Sequence, residues 1–128
     1  MVRKIKKIKN MSILTKFKLF NVISDFFKRK LNKNSEETWI AIQGYNGKYL
    51  VSSYGRVYNS EREVMMNTYK KKDGYERVSL YDKENKIKEY RIHRLVAQHF
   101  LKNNDDKKNV IHLDKNKDNN KVNNLKWK

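Results

Sequence analysis

Apolar residues follow two different spacings along the chain, and the change between them falls near residue 36. Between residues 12 and 31 they recur at helical spacing among lysines, at Ile13, Phe17, Phe20, Ile23, Phe27 and Leu31. This pattern predicts a basic amphipathic helix in an amino-terminal arm, residues 1–36. From Trp39 onward the apolar residues come in short, partly alternating segments, which are typical of strands.

The strand-like segments combine β-branched and aromatic residues, and they read TWIAI, KYLVS, GRVYN, YERVSLY and KEYRIH. Four glycines lie where turns between them need a positive φ, at Gly44, Gly47, Gly55 and Gly74. A hairpin around Glu84-Asn85 is expected to join strands at 75–80 and 88–92. The segments therefore predict a small antiparallel sheet.

The stretch HRLVAQHFL places Leu95, Val96, His99 and Phe100 on one helical face, which predicts a helix of about two turns from Arg94. Together with the strands, this helix makes the predicted fold class α+β, a small antiparallel sheet with short helices. The basic amphipathic helix of the arm is added at the amino terminus.

Charge indicates an anionic partner. The chain has 31 Lys and Arg against 14 Asp and Glu, a formal net charge of +17, for which nucleic acid is the first candidate. Residues 1–36 contribute most of this excess, with eleven basic and two acidic side chains. Heavy use of Lys, Asn, Ile and Tyr without Pro would also follow from an AT-rich genome. Basicity alone is therefore a weak indicator of the partner.

The function of the arm stays open at this point. Its apolar face could pack on the domain or on a protein partner, lie on an anionic membrane surface, or belong to a transit peptide. Scarce arginine weighs against the transit peptide. The lysines at positions 4, 6, 7 and 9 could instead follow a phosphate backbone, unless translation begins at Met11.

Two absences bear on the compartment. The chain has no cysteine, which is compatible with an intracellular, reducing setting in a cytoplasm, nucleus, virus or organelle. It also has no run of about 18 apolar residues, so we expect no transmembrane segment.

The segment GYNGKYLVSSYGRVYN, with Trp39 before it, resembles the nuclease-associated modular domain found beside HNH nuclease domains in phage and intron-encoded homing endonucleases. The matching positions are Trp39, Gly44, Tyr45, Tyr49, Val51, Ser52, Tyr54, Gly55, Arg56 and Val57. This resemblance implies that residues 37–92 form a DNA-binding sheet.

A sheet with cations and tyrosines on one face is suited to lie along a groove, with cations on phosphates and rings against sugars or bases. We predict nucleic-acid contacts from Lys48, Tyr54, Arg56, Arg77, Arg91, His93 and Arg94. Arg56 follows a glycine turn and is expected to reach a phosphate. The alternative for each tyrosine is packing in the core, and the alternative for His93 is packing as well.

The last segment, RIHRLVAQHFLKNNDDKKNVIHLDKNKDNNKVNNLKW, resembles the homing-type HNH nucleases, whose motif has a ββα-metal fold. The matching positions are His93, Arg94, Leu95, Val96, Ala97, Phe100, His112, Asp114, Asn116, Asn119, Asn120, Asn124, Leu125 and Trp127. The resemblance implies that residues 93–128 are a partial nuclease motif acting with Mg²⁺ or another divalent ion.

Within this motif, His112 matches the general base of phosphodiester hydrolysis, since a neutral imidazole can take a proton from the attacking water. Asn124 matches the central asparagine, whose amide holds the intervening loop in shape. Leu125 and Trp127 would anchor the return of the loop onto the core. A structural histidine is the alternative for His112.

The motif departs from the family at its metal ligands. The residue before the base is normally Asp, Asn or His, but here it is Ile111, which cannot coordinate a metal. The second ligand normally comes from a helix beyond the Asn-Leu-x-Trp stretch, so we expect a chain truncated relative to the family. Asp114 or Asp118 could substitute as metal ligands.

The interpretation is a DNA-binding HNH endonuclease relative with impaired catalysis. The alternative is a non-catalytic nucleic-acid-binding protein, a DNA-binding module or a basic component on RNA or DNA in a larger assembly.

Overall fold

A computed structural model of the protein describes residues 37–128. The amphipathic helix predicted in the arm therefore lies outside the described residues. Within them, nine short strands form three antiparallel sheets, together with one α-helix and one 3₁₀ helix. The prediction of antiparallel strands with short helical elements is confirmed, although the strands divide among three sheets instead of one.

The first sheet contains four strands in sequential order. They are β1 (Trp39–Ala41), β2 (Tyr49–Ser52), β3 (Val57–Asn59) and β4 (Val64–Met65). Strand β2 is buried along its whole length and pairs on both edges, with Val51 opposite Ile40 and Val57. The four predicted turn glycines all have positive φ, between 79° and 91°.

The second sheet contains the predicted hairpin. Its strands, in order, are β5 (Tyr69–Lys70), β6 (Glu76–Tyr81) and β7 (Ile87–Arg91). Val78 lies opposite Tyr90, and the turn between them has Asn85 at φ 60°. Asn85 is one of the residue types that adopt this left-handed conformation at low cost. The hairpin prediction is therefore confirmed.

Strand β7 runs directly into helix α1 (Ile92–Phe100), which begins two residues before the predicted start at Arg94. The earlier start allows Ile92 and His93 to be buried with the helix. No helix among residues 37–128 is long and apolar enough to cross a membrane.

The third sheet is a single antiparallel pair, β8 (Val110–His112) and β9 (Leu125–Trp127), with a 3₁₀ helix (Val122–Asn124) just before β9. The long connection between the strands, residues 113–124, is the polar loop discussed below. His112 lies opposite Leu125, so its position is set by the β8–β9 pairing.

One apolar core joins the three sheets through α1. Its members come from every sheet and from the helix: Ile42, Tyr49, Val51, Val57, Val78, Leu80, Ile92, Leu95, Val96, Ala97, Val110 and Leu125. Trp127 packs against this core, and its indole N–H donates to the Leu101 carbonyl at 3.4 Å. The division at residues 37–92 and 93–128 stays a prediction.

Candidate active site and nucleic-acid interface

His112 is the last residue of strand β8, and the polar loop follows it directly. Its Nε2 lies 2.8 Å from Asn120 Oδ1, and its ring centroid lies 4.9 Å from that of His93. The neighbours Ile111 and Leu113 are exposed, at 36% and 54%. His112 itself is half-buried, with Asn120 at one ring nitrogen and the His93 ring beside it.

Asn124 braces the polar loop. Its Oδ1 accepts the backbone N–H of Asp114 at 3.1 Å, while its Nδ2 donates to Asp114 Oδ1 at 2.9 Å and to the Asn119 carbonyl at 2.8 Å. The side chain is buried. These contacts tie the loop together at Asp114 and Asn119, while the role that the family resemblance implies for Asn124 stays a prediction.

Asp114, one of the two predicted substitute ligands, accepts hydrogen bonds from within the loop. One carboxylate oxygen accepts from the Asn116 backbone and from Asn124, and the other accepts from Asn119 Nδ2 at 2.8 Å. The Asn119 amide first, then the Asn116 backbone and the Asn124 amide, lower the pKa of Asp114. Both oxygens of this carboxylate therefore accept hydrogen bonds within the loop.

Asp118, the other predicted substitute ligand, forms an ion pair with Lys70 of β5. Within the described part of the chain, no group of three or more His, Cys, Asp or Glu side chains is arranged to hold a metal ion. The side chain of Ile111, beside His112, has no atom that can coordinate a metal. Among residues 37–128, any divalent ion would therefore have to be held by fewer than three such side chains.

Three rings pack together at the candidate base: Tyr75, His93 and His112 itself. The Tyr75 and His93 centroids lie 4.7 Å apart with their planes at 23°, and His93 in turn neighbours His112. His93 is only 4% exposed. Burial, followed by the nearby charges of His112, Arg91 and Arg94, lowers the pKa of His93 to about 4. His93 is therefore neutral near pH 7, and its predicted DNA contact stays a prediction.

A group of cations over aromatic rings lies next to this stack. The Arg91 guanidinium and the Lys117 ammonium lie 5.0 Å and 4.6 Å from the Tyr75 ring centroid. Lys121 lies 4.8 Å from the ring centroid of Tyr54, a predicted contact residue. We call these five residues the cationic rim. The Tyr75 ring centroid lies 6.1 Å from that of His112, so the rim is a candidate surface for phosphates near this histidine.

Arg77, a predicted DNA contact, is buried in an ion-pair cluster. It donates to both oxygens of Asp73 at 2.7 and 2.6 Å, and its Nε lies 3.1 Å from Glu89. Its side chain is 6% exposed. Arg77 first, with Arg91 contributing, lowers the pKa of Asp73 well below its usual range. These contacts use the guanidinium of Arg77 inside the domain.

Arg56 is also paired within the chain. Its Nε and one terminal nitrogen donate to the two carboxylate oxygens of Glu37 at 2.9 and 2.5 Å, and its guanidinium lies 5.4 Å from the Trp39 ring centroid. Glu37 is 2% exposed, whereas the Arg56 side chain keeps 39% of its surface exposed. Contact with a phosphate would have to use that exposed part.

The remaining predicted contact residues, Lys48 and Arg94, donate hydrogen bonds to backbone carbonyls elsewhere in the domain. Lys48 Nζ donates to the Tyr81 carbonyl at 3.1 Å, and Arg94 donates to the Lys108 carbonyl at 3.0 Å. The predicted nucleic-acid residues are thus spread over several surfaces. Tyr54 and Arg91 belong to the cationic rim, His93 stacks on its Tyr75, and Arg77 donates to the Tyr75 carbonyl at 2.9 Å from inside the domain.

Sequence reasoning missed Tyr75, Lys117 and Lys121 of the rim, and it also missed Glu76. Asn120 falls on a family position, but its contact with Glu76, 44 residues earlier, has no local signal. The contact depends on how β6 meets the polar loop. Only the three-dimensional structure reveals it.

Comparison with known proteins gives consistent matches. The model of the NUMOD4 motif matches residues 37–81. The DNA endonuclease I-HmuI of Bacillus phage SP01 is 43% identical over 89 residues, covering 70% of this chain and 51% of that protein. The uncharacterized HNH endonuclease L247 of Acanthamoeba polyphaga mimivirus is 41% identical over 80 residues, 62% of this chain and 20% of that protein.

A solved structure gives the same relationship. It describes DNA binding and cleavage by the HNH homing endonuclease I-HmuI, and it matches with a TM-score of 0.65 and 42% identity. The match covers 70% of this chain and 51% of that one. The chain thus spans about half the length of I-HmuI.

Proposed function

We propose that this chain, which belongs to the HNH homing endonuclease family, binds DNA and presents His112 as the general base of a nuclease site with impaired catalysis. The observation that carries this proposal is the position of His112. It is held on a braced hairpin beside the cationic rim, where a phosphate of bound DNA would meet both the base and positive charge.

DNA is proposed as the polymer because of the named relatives. I-HmuI is a DNA endonuclease, and its solved structure concerns DNA binding and cleavage. Residues 37–128 carry twenty basic and twelve acidic side chains, so the region retains a net positive charge apart from the arm. That excess favours a polyanion without distinguishing DNA from RNA.

Impaired catalysis is proposed because residues 37–128 contain no group of three or more His, Cys, Asp or Glu side chains arranged to hold a metal ion beside the proposed base. In a nuclease of this kind a divalent ion stabilises negative charge at the phosphate. Here Ile111 is apolar, Asp114 is bound within its loop and Asp118 is paired with Lys70. The same observation favours the second candidate, a non-catalytic DNA-binding protein.

DNA binding is tested by the salt dependence of affinity for a labelled duplex, measured by fluorescence anisotropy. We expect affinity to fall steeply between about 50 and about 200 mM salt, as for several phosphate contacts. Lys117→Ala and Lys121→Ala should each reduce the slope by about one. Lys86→Ala is the matched control, because its side chain is 78% exposed at the β6–β7 turn.

Binding that is insensitive to salt would contradict the proposal. If Lys86→Ala reduced the salt dependence of affinity as much as the rim variants do, the rim would not be the contact surface. A duplex RNA of the same sequence, measured in parallel, tests the polymer, and tighter binding to RNA would overturn the choice of DNA.

Catalysis is tested by nicking of supercoiled plasmid with Mg²⁺ or Mn²⁺, comparing the parent chain with His112→Ala. We expect DNA binding without detectable nicking. Nicking that disappears in His112→Ala would show a working base and would refute the proposed impairment.

A further inference from the structure

Three side chains form a hydrogen-bonded relay from the candidate base to strand β6. His112 Nε2 lies 2.8 Å from Asn120 Oδ1, and Asn120 Nδ2 donates to Glu76 Oε2 at 2.8 Å. The other carboxylate oxygen of Glu76 accepts the Thr68 hydroxyl at 2.6 Å. The relay connects the HNH-like loop to the sheet that precedes it.

The chemistry of the relay determines which way each group points. An ionised carboxylate only accepts hydrogen bonds, so the Asn120 amide must present its NH₂ group to Glu76. Its carbonyl oxygen then faces His112, and an oxygen of this kind also only accepts. His112 Nε2 must therefore carry the proton, which leaves Nδ1 of the neutral ring as the basic nitrogen.

Packing prevents Asn120 from turning away. Its side chain is 3% exposed. A Cβ atom added to Gly55 would lie 2.8 Å from Asn120 Cβ and 3.2 Å from Ile92 Cγ2. The backbone at Gly55 also has a φ of +86°, which other residues rarely adopt. The Tyr-Gly-Arg turn of the first sheet thus packs directly against Asn120.

We infer that Asn120 and Glu76 are positioning residues, which hold His112 in its Nε2-protonated tautomer so that Nδ1 is the atom that accepts a proton. This inference rests on the proposed role of His112 as base. When Nδ1 takes the proton of an attacking water, the ring becomes imidazolium while its Nε2–H stays bonded to Asn120. The Glu76 carboxylate then favours the new charge through the relay.

His99 provides an internal reference of the opposite kind. Its Nδ1 lies 2.8 Å from the Leu95 carbonyl, which only accepts, and its Nε2 accepts the Gln43 backbone N–H at 3.1 Å. His99 must therefore carry its proton on Nδ1. The two histidines are expected to be opposite tautomers in one protein.

The test is NMR of the full chain labelled with ¹⁵N-histidine, in mildly alkaline buffer where imidazoles are neutral. Long-range ¹H–¹⁵N correlations distinguish the two tautomers by which nitrogen is protonated. We expect His112 as the Nε2–H form and His99 as the Nδ1–H form. Glu76→Gln, whose amide can donate as well as accept, should mix the His112 tautomers, and its two nitrogen resonances should move toward each other.

Asn120→Ala should produce the same mixing, while His99 stays unchanged in both variants. Asn123→Ala, an exposed neighbour in the loop, is the matched control and should leave His112 as in the parent chain. If Asn120→Ala does not fold, the isosteric Glu76→Gln still decides the outcome.

An Nδ1-protonated His112 in the parent chain would overturn the inference, as would unchanged tautomers in Glu76→Gln. The readout needs neither DNA nor cleavage. Failure of the chain to bind DNA would therefore refute the proposed function without altering the tautomer result, and the two ideas can fail separately.

Discussion

The apolar core and the polar loop of residues 113–124 owe their shapes to different forces. Every core residue is at most 7% exposed and is held by burial of apolar surface. In the loop most side chains are exposed, and amides and carboxylates bond to nearby backbone groups. A core position needs volume and apolarity, whereas a loop position needs a particular donor or acceptor.

This difference predicts that a cavity in the core destabilises the whole domain. Leu95 is 1% exposed on α1, which contacts strands of all three sheets. Leu95→Ala should lower the free energy of unfolding by about 4 kcal/mol, because it removes buried surface and leaves a cavity. The urea unfolding curves measured by fluorescence and by circular dichroism should both shift to lower urea concentration, and by the same amount.

Gln98→Ala on the exposed side of the same helix is the control, with an expected change within about 0.5 kcal/mol. If only the β8–β9 region of Leu95→Ala unfolded while the first sheet stayed folded, the prediction that the whole domain is destabilised would be wrong. In that case the core would consist of separable parts.

The core was largely predictable from the sequence, because its signals are local. The β6–β7 hairpin, the turn at Gly55 and helix α1 each follow from a short pattern of apolar residues or from a glycine at a left-handed turn. Strands β4 and β5 were missed because two residues each are too few to show a period.

The candidate site was predictable only in part. Family positions identify His112 and Asn124, but the Asn120–Glu76 contact joins residues far apart in the sequence and depends on the packing of β6 against the loop. Arg77 was predicted as a DNA contact, yet Asp73 and Glu89 surround it. Burial of a cation depends on neighbours that a linear pattern does not display.

His93 lies where the core meets the polar loop, and it should make stability depend on pH. Its pKa of about 4 in the folded state is below the ordinary value of 6.5, so the unfolded chain binds the proton first as pH falls. The contribution of neutral His93 to the free energy of unfolding is therefore complete above about pH 6.5. It is lost as pH falls toward 4, which lowers stability by roughly 3 kcal/mol.

This dependence is measured by urea unfolding between about pH 4 and about pH 7 for the parent chain and His93→Phe, which keeps a flat ring against Tyr75. Carboxylates titrate in both proteins, so the difference between the two profiles isolates His93. Parallel profiles would show that the imidazole is already solvated in the folded state.

Removal of the loop brace should act locally. Asn124→Ala deletes three hydrogen bonds that fix Asp114 and Asn119, which we expect to cost about 2 kcal/mol. Hydrogen exchange should accelerate at the Asp114 amide, which loses its acceptor, while amides of β2 and β3 keep their protection.

Asn123→Ala, next to it and exposed, is the control and should leave the exchange pattern unchanged. Equal acceleration in the first sheet would show that the loop and the core unfold as one unit, which contradicts the distinction drawn between them.

The smallest effect is expected at the outer side of the loop, where Asp118 pairs with Lys70. Both side chains are about half exposed, at 59% and 49%, so water and salt screen the attraction. Asp118→Asn should change the free energy of unfolding by at most about 0.5 kcal/mol, and less at high salt.

Unfolding of the parent chain and of Asp118→Asn, measured with and without Mg²⁺, also tests Asp118 as a substitute ligand. A Mg²⁺-dependent stabilisation that Asp118→Asn removes would show that the loop binds a cation, and the loop would then owe its shape to an ion as well as to its amides.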